Sequence, residues 1–254
     1  MSITSLALSL VFVIIPLILT AYLKLGLTKD ILIATVRSII QLIAVGYILT
    51  FVFEGQNAIY IILMIMLMIG AASQNIVKKG KGIPYITWII ILALVVVEVF
   101  SMTTLVVCNI IPFTPQYVIP ISGMIIGNTM VLSLLFLNKF KSEVNQNDEI
   151  IELILSFGGT PEDAIKHSLK SAIKTSMIPT IEAQKTMGLV QLPGMMSGLI
   201  IGGGDPLEAV MYQLLILFLI LNTAAVASVL VGYLSYRHLF NARMQFIGIR
   251  EDAK

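Results

Sequence analysis

Glu98 is the sole charged residue in the apolar stretch 84–108, about fourteen residues and roughly 20 Å from its start at 1.5 Å per residue. A charge at that depth costs on the order of 3 kcal/mol on insertion scales, so such groups face a bundle interior or a watery path. With Ser101 and Thr104 close behind, Glu98 is a candidate oxygen ligand for a cation and the one candidate metal residue. A protonated acid hydrogen-bonded to a neighbouring helix is the structural alternative. A second candidate stretch reads SGMIIGNTM from Ser122. There Gly123 and Gly127 allow two helix backbones to approach, while Met124 and Asn128 could line a central path. A third, GLVQLPGMMSGLIIGGGDP, sets Gly194, Gly198 and Gly202 four residues apart after Pro193. This ridge points to close packing or to a helix bent around a site. Met195 and Met196, like Met64, Met66 and Met68, offer thioethers, but residues two apart diverge on a helix, which argues against a methionine metal site. Asp205 before Pro206 either caps the next helix or, with Glu208, attracts a cation.

The elements positioning these groups are membrane spans. With 57% hydrophobic and 12% charged residues, the 254-residue chain lies far from the usual soluble composition. One cysteine excludes an internal disulfide, and a net charge of +2 leaves no nucleic-acid footprint. Hydropathy predicts an all-α, polytopic single membrane domain, 1–254, with seven spans at about 3–22, 31–53, 58–77, 84–108, 118–137, 187–203 and 207–234. The first lacks the basic n-region of a signal peptide and is read as retained. All sixteen basic residues fall on one side or its adjoining turns when these spans alternate, which makes that side cytoplasmic, with the N-terminus outside and the C-terminus inside.

The longest polar segment, 138–186, is assigned to the cytoplasm. Within it EIIELILSF carries a helical apolar period through Ile150, Leu153, Ile154 and Phe157, predicted to be the buried face. Gly158 and Gly159 end that helix. Thr160, Pro161, Glu162 and Asp163 then write a capped helix start, followed by the apolar stripe Ile165, Leu169, Ala172 and Ile173. Helix, glycine corner and capped helix make a protruding knuckle, a handle for a soluble partner. No GxxxxGK[ST] loop, HExxH or GxSxG occurs, so the chain cannot bind ATP phosphates in the P-loop manner and enzymatic chemistry has little to stand on.

Glu152, six residues before Gly158, with Gly159, Thr160 and Pro161 following, resembles the EAA-type coupling segment of ABC-transporter permeases, with Leu153 and Ile154 in place of its two alanines. From span two to span seven the chain resembles the UPF0014 family, the permeases of the FetB-type iron-export ABC system. The resemblance rests on PISGMIIGNTM at 120–130, ELILSFGGTPEDA at 152–164 and MIPTIEAQKTMGLVQLPGMMSGLIIGGGDPLEAVMYQ at 177–213. It implies a cytoplasmic-membrane permease with no cofactor of its own. On that resemblance a separate ATPase is expected to hold ATP and magnesium, a second copy to complete the pathway, and iron to be the exported cargo. Plant relatives link the family with aluminium tolerance and nucleotide-sugar transport. A proton-coupled secondary transporter with Glu98 as carrier is the alternative from another class.

Overall fold

In the computed structural model residues 8, 10–55, 58–241 and 243–249 are described, and their regular structure is helical. Residues 3–7 and 9 of the first expected span lie outside them. The chain divides into two compact units, 1–57 and 58–254.

The first unit holds α1 (Val11–Tyr22) and α2 (Thr28–Gly55). Their turn is made by Gly26 at φ 73° and closed where the Thr20 and Thr28 hydroxyls lie 3.4 Å apart. The 28 residues of α2 are long and apolar enough to cross a membrane. Within the first expected span, α1 is twelve residues long.

The second unit contains α3 (Ala58–Lys79), α4 (Ile86–Val107), α5 (Pro115–Gln146), α6 (Asp148–Ser156), α7 (Pro161–Thr186), α8 (Gly194–Ile201) and α9 (Pro206–Tyr236). Of these, α3, α4, α5 and α9 qualify as spans by length and hydropathy. One core joins Phe136 and Phe140 of α5 to Ile151, Ile165, Leu169 and Val231. A second joins Val97 and Leu105 of α4 to Ile121, Ile125, Ile216 and Ala227. Between apolar helices in lipid, such fits act through packing rather than removal from water. Gly232 shows how tight they are: a Cβ there would meet Leu169 at 2.9 Å and Phe136 at 3.1 Å.

Two expectations need correction. Residues 187–203 do not form one spanning helix. Thr186 ends α7, a turn follows in which Gly188 takes φ 87°, and α8 has only eight residues after Pro193. Eight residues reach about 12 Å, far short of a bilayer core. Nor does 138–186 stand apart from the long helices. Residues 138–146 complete α5, and the distal half of α7 runs antiparallel along α9. Ser176 meets Ser228 at 3.1 Å, Gln184 donates to the Leu217 carbonyl at 3.1 Å, and Gln213 reaches the Met187 sulfur at 3.9 Å. Hydropathy misses this ascent because Lys174, Glu182 and Lys185 share α7 with the residues that pack.

Candidate functional site

The knuckle forms as its residues dictate. Gly158 takes φ 83°, a left-handed conformation open to glycine, and Gly159 N–H donates to the Ile154 carbonyl at 2.9 Å. A Cβ on Gly159 would stand 2.5 Å from Ile154 Cγ2, so the corner closes only around glycine. Thr160 then caps α7: Asp163 N–H donates to Thr160 Oγ1 at 3.2 Å, the Asp163 carboxylate accepts from Thr160 N–H at 3.4 Å, and Pro161 occupies the first helical position. The Thr160 hydroxyl and backbone amide hold the Asp163 carboxyl below the usual aspartate range.

Behind the corner α7 is anchored to α5. Ser171 donates to Glu143 Oε1 at 2.9 Å, and Lys139 pairs with the same oxygen at 2.7 Å. Ile165, Leu169 and Ala172 are buried, as their spacing predicts, whereas the predicted buried face of α6 is corrected. Ile151 is fully enclosed and Ile154 partly so, while Ile150, Leu153 and Phe157 are 55%, 54% and 84% exposed. Glu152 is exposed beside them. The helix is apolar on more than one side, and the single inward turn through Ile151 faces the core.

The intramembrane candidates separate into three places. Glu98 is 3% exposed and buried with Ser101 on α4; the Ser122 hydroxyl of α5 lies beside its carboxyl without closing a well-aligned bond. Both Glu98 oxygens and the hydroxyls of Ser101 and Ser122 are buried without a partner among the described residues. Thr104 is not part of this group; it donates to the Phe100 carbonyl at 2.8 Å and lines an apolar groove on another face of α4. Asn128 borders a cavity of about 240 Å³ with Thr180, Gln184 and Met187, at the end of α7. Its amide nitrogen and that of Gln184 are spent on carbonyls, Met124 at 2.8 Å and Leu217 at 3.1 Å, which leaves both amide oxygens as free acceptors. Met124 instead faces a cavity of about 360 Å³ with Met195, Asp205, Glu208 and Tyr212. Asp205 there caps α9, accepting from Glu208 N–H at 3.0 Å.

Thr180, Gln184 and Met187 were not singled out by sequence; the signal for them is the Gly188 to Pro193 interruption just beyond. No trio of His, Cys, Asp or Glu able to hold a metal occurs among the described residues. Glu98 is accompanied by hydroxyls rather than by a second acid. The predicted packing glycines Gly123, Gly127, Gly194 and Gly198 do not press on another helix of their own chain. An added Cβ would meet nothing closer than Met68 at 3.9 Å, and that only at Gly123; at Gly202 it would meet the backbone of its own helix. The close glycines are Gly80 against Ile86 and Gly232 against Leu169.

Several long apolar helices define a multi-pass helical membrane protein. The chain belongs to the uncharacterised protein family UPF0014, whose profile matches residues 3–240. It is 49% identical over 241 residues to the UPF0014 membrane protein YjkA of Bacillus subtilis, covering 95% of this chain and 96% of that one. To the probable iron export permease protein FetB of Escherichia coli it is 39% identical over 243 residues, covering 96% and 94%. The protein ALUMINUM SENSITIVE 3 of Arabidopsis thaliana is 31% identical over 239 residues, covering 94% and 88%. No solved structure matches the chain significantly.

Proposed function

We propose that this chain is the membrane permease of an ABC exporter that moves iron, or another metal cation, out of the cytoplasm under the drive of a separate ATPase. The observation that carries the reading is the open apolar face at the Gly158 corner. Ile150, Leu153 and Phe157 stand exposed on a short helix whose other side is locked to α7 and α5. A rigid, capped corner with unpaired apolar side chains suits a protein partner that pushes or pulls on it. The likeness to FetB supplies the cargo, since that relative is named a probable iron export permease.

In this scheme two ATPase chains hold ATP and magnesium and dock on Glu152, Gly158, Gly159, Thr160 and Pro161 of two permease copies. Their closure moves α7 through the Glu143–Ser171 tie and the Leu169–Gly232 contact. The open space above Gly127, Gly194 and Gly198 accommodates the second copy's backbone. Glu98, Ser101 and Ser122 supply hard oxygen donors suited to iron(II), and the Asn128 cavity, in a separate place, offers neutral oxygens. The sixth of seven crossings is made by distal α7 and α8 together, which keeps the N-terminus outside and the C-terminus in the cytoplasm, in agreement with the basic residues at the knuckle.

Deleting the protein should raise cell-associated iron under iron load, and restoring the wild-type chain but not the Glu98→Gln variant should reverse the rise. Unchanged iron content in the deletion would overturn iron as the cargo.

A further inference from the structure

We infer that the outward face of distal α7, with the ion pair Glu182–Lys185 on it, lines a water-filled path through the membrane. The inference deepens the permease reading and rests on it for the use of that path. The residues Ile178, Ile181, Glu182 and Lys185 follow one another at i, i+3, i+4 and i+7, so they share one stripe of the helix. The opposite stripe, Ser176, Thr180, Gln184 and Met187, holds the contacts to α9 and the Asn128 cavity. Distal α7 therefore has a packed side and a free side.

The depth of the free side follows from the register with α9. The pairs 176 with 228, 184 with 217 and 187 with 213 fix an antiparallel alignment over the length of the contact. The midpoint of α9, Leu221, then lies level with residue 180 or 181. Glu182 falls about 3 Å from that level and Lys185 about 8 Å, at 1.5 Å per residue. Their side chains pair at 2.7 Å yet stay 60% and 62% exposed. Two exposed charges near the middle of a span cannot rest against hydrocarbon; ionisable groups at such depth face one another or water. A pair this open is not desolvated by its own partner, so water must reach it.

The chemistry of the stripe suits passage rather than storage. Lys185 engages Glu182 Oε1, and the adjacent positive charge weakens any cation's hold on the remaining oxygen. Conduction needs contacts that release as readily as they bind. Ile178 and Ile181, 43% and 38% exposed, place apolar surface alongside the charges, where a constriction could form.

The test is cysteine labelling of the full-length protein in sealed vesicles with a charged, membrane-impermeant methanethiosulfonate. The exposed native thiol is first removed by Cys108→Ser. Glu182→Cys and Lys185→Cys report the charged positions directly. Ile178→Cys and Ile181→Cys report the same stripe with the ion pair intact, in case the first two variants fail to fold. Val99→Cys, 58% exposed on α4 among Val95, Val96 and Phe100, is the apolar comparison. Cysteines on the α7 stripe should react at least about tenfold faster than the one at position 99, because the reagent needs a hydrated thiolate. If Ile178→Cys and Ile181→Cys react no faster than Val99→Cys in folded protein, the stripe is dry, whether against lipid or a second copy, and the inference is overturned. The labelling uses neither ATPase nor cargo, so its failure and the failure of the ABC reading are told apart.

Discussion

Glu98 concentrates the chemistry at the scale of single residues. A carboxyl enclosed on all sides, with two unpartnered hydroxyls for company, is held in place by packing rather than by hydrogen bonds. Replacing the carboxyl by an amide of nearly the same shape should leave insertion and folding intact. Glu98→Gln is therefore expected to migrate as wild type on size exclusion while cation flux in vesicles falls by about tenfold or more. Unaltered flux would return Glu98 to a structural role. The cap at the start of α7 offers a cleaner thermodynamic case. Thr160→Ala removes the acceptor for the Asp163 amide and should weaken the knuckle by about 1 kcal/mol, read as faster hydrogen exchange in the first turn of α7. Because the Asp163 carboxyl is held below its ordinary value of 3.8, its contribution is present above that pH and is lost as pH falls through the lower folded value. The protection difference between wild type and Asp163→Asn should accordingly be seen at neutral pH and vanish in acid; a difference that persists unchanged there would contradict this origin.

Among the elements, the knuckle and α7 divide what sequence could and could not disclose. The glycine corner, the capping box and the buried stripe Ile165, Leu169 and Ala172 are local features, written by residues a few positions apart, and they were legible. The orientation of α6 was not. Its apolar residues occur on several sides, and only tertiary contact decides that Ile151 turns inward while Leu153 and Phe157 turn out. The course of α7 was hidden for a different reason. Hydropathy averages the two stripes of one helix, and here neither is strongly apolar: the side that meets α9 carries Ser176, Thr180 and Gln184, while Glu182 and Lys185 offset Ile178 and Ile181 on the other. Position 159 gives a sharp test at this scale. Gly159→Ala must displace Ile154 Cγ2 from 2.5 Å and crowd the Ile154 carbonyl, so it should unsettle the end of α6 while leaving the spans inserted. Limited proteolysis cutting first between residues 150 and 160 is the expected outcome, and wild-type resistance there would count against the corner as a tight joint.

At the scale of the molecule, two arrangements give the account its coherence. The glycine corner is tied by packing to a helix that runs on beside α9, and that helix ends in an interruption just beyond Thr186. In the proposed scheme a displacement at Gly158 travels along α7, past the close packing of Leu169 on Gly232, to the Asn128 cavity. The family and the long spans could be read from sequence, because apolar length and extended motifs survive averaging. The separation of Glu98, Asn128 and Met124 into three places could not, since it depends on which helix faces which. The central claim is that an ATPase drives this chain through the knuckle. The direct measurement is affinity capture of the tagged protein from detergent extract, comparing wild type with the double variant Leu153→Ser and Phe157→Ser and identifying what co-purifies. A P-loop ATPase recovered in near-equal amount with wild type and lost with the double variant is the predicted result. No ATPase with either, while both chains remain folded and membrane-inserted, would contradict the account and leave the exposed face of α6 to the bilayer surface.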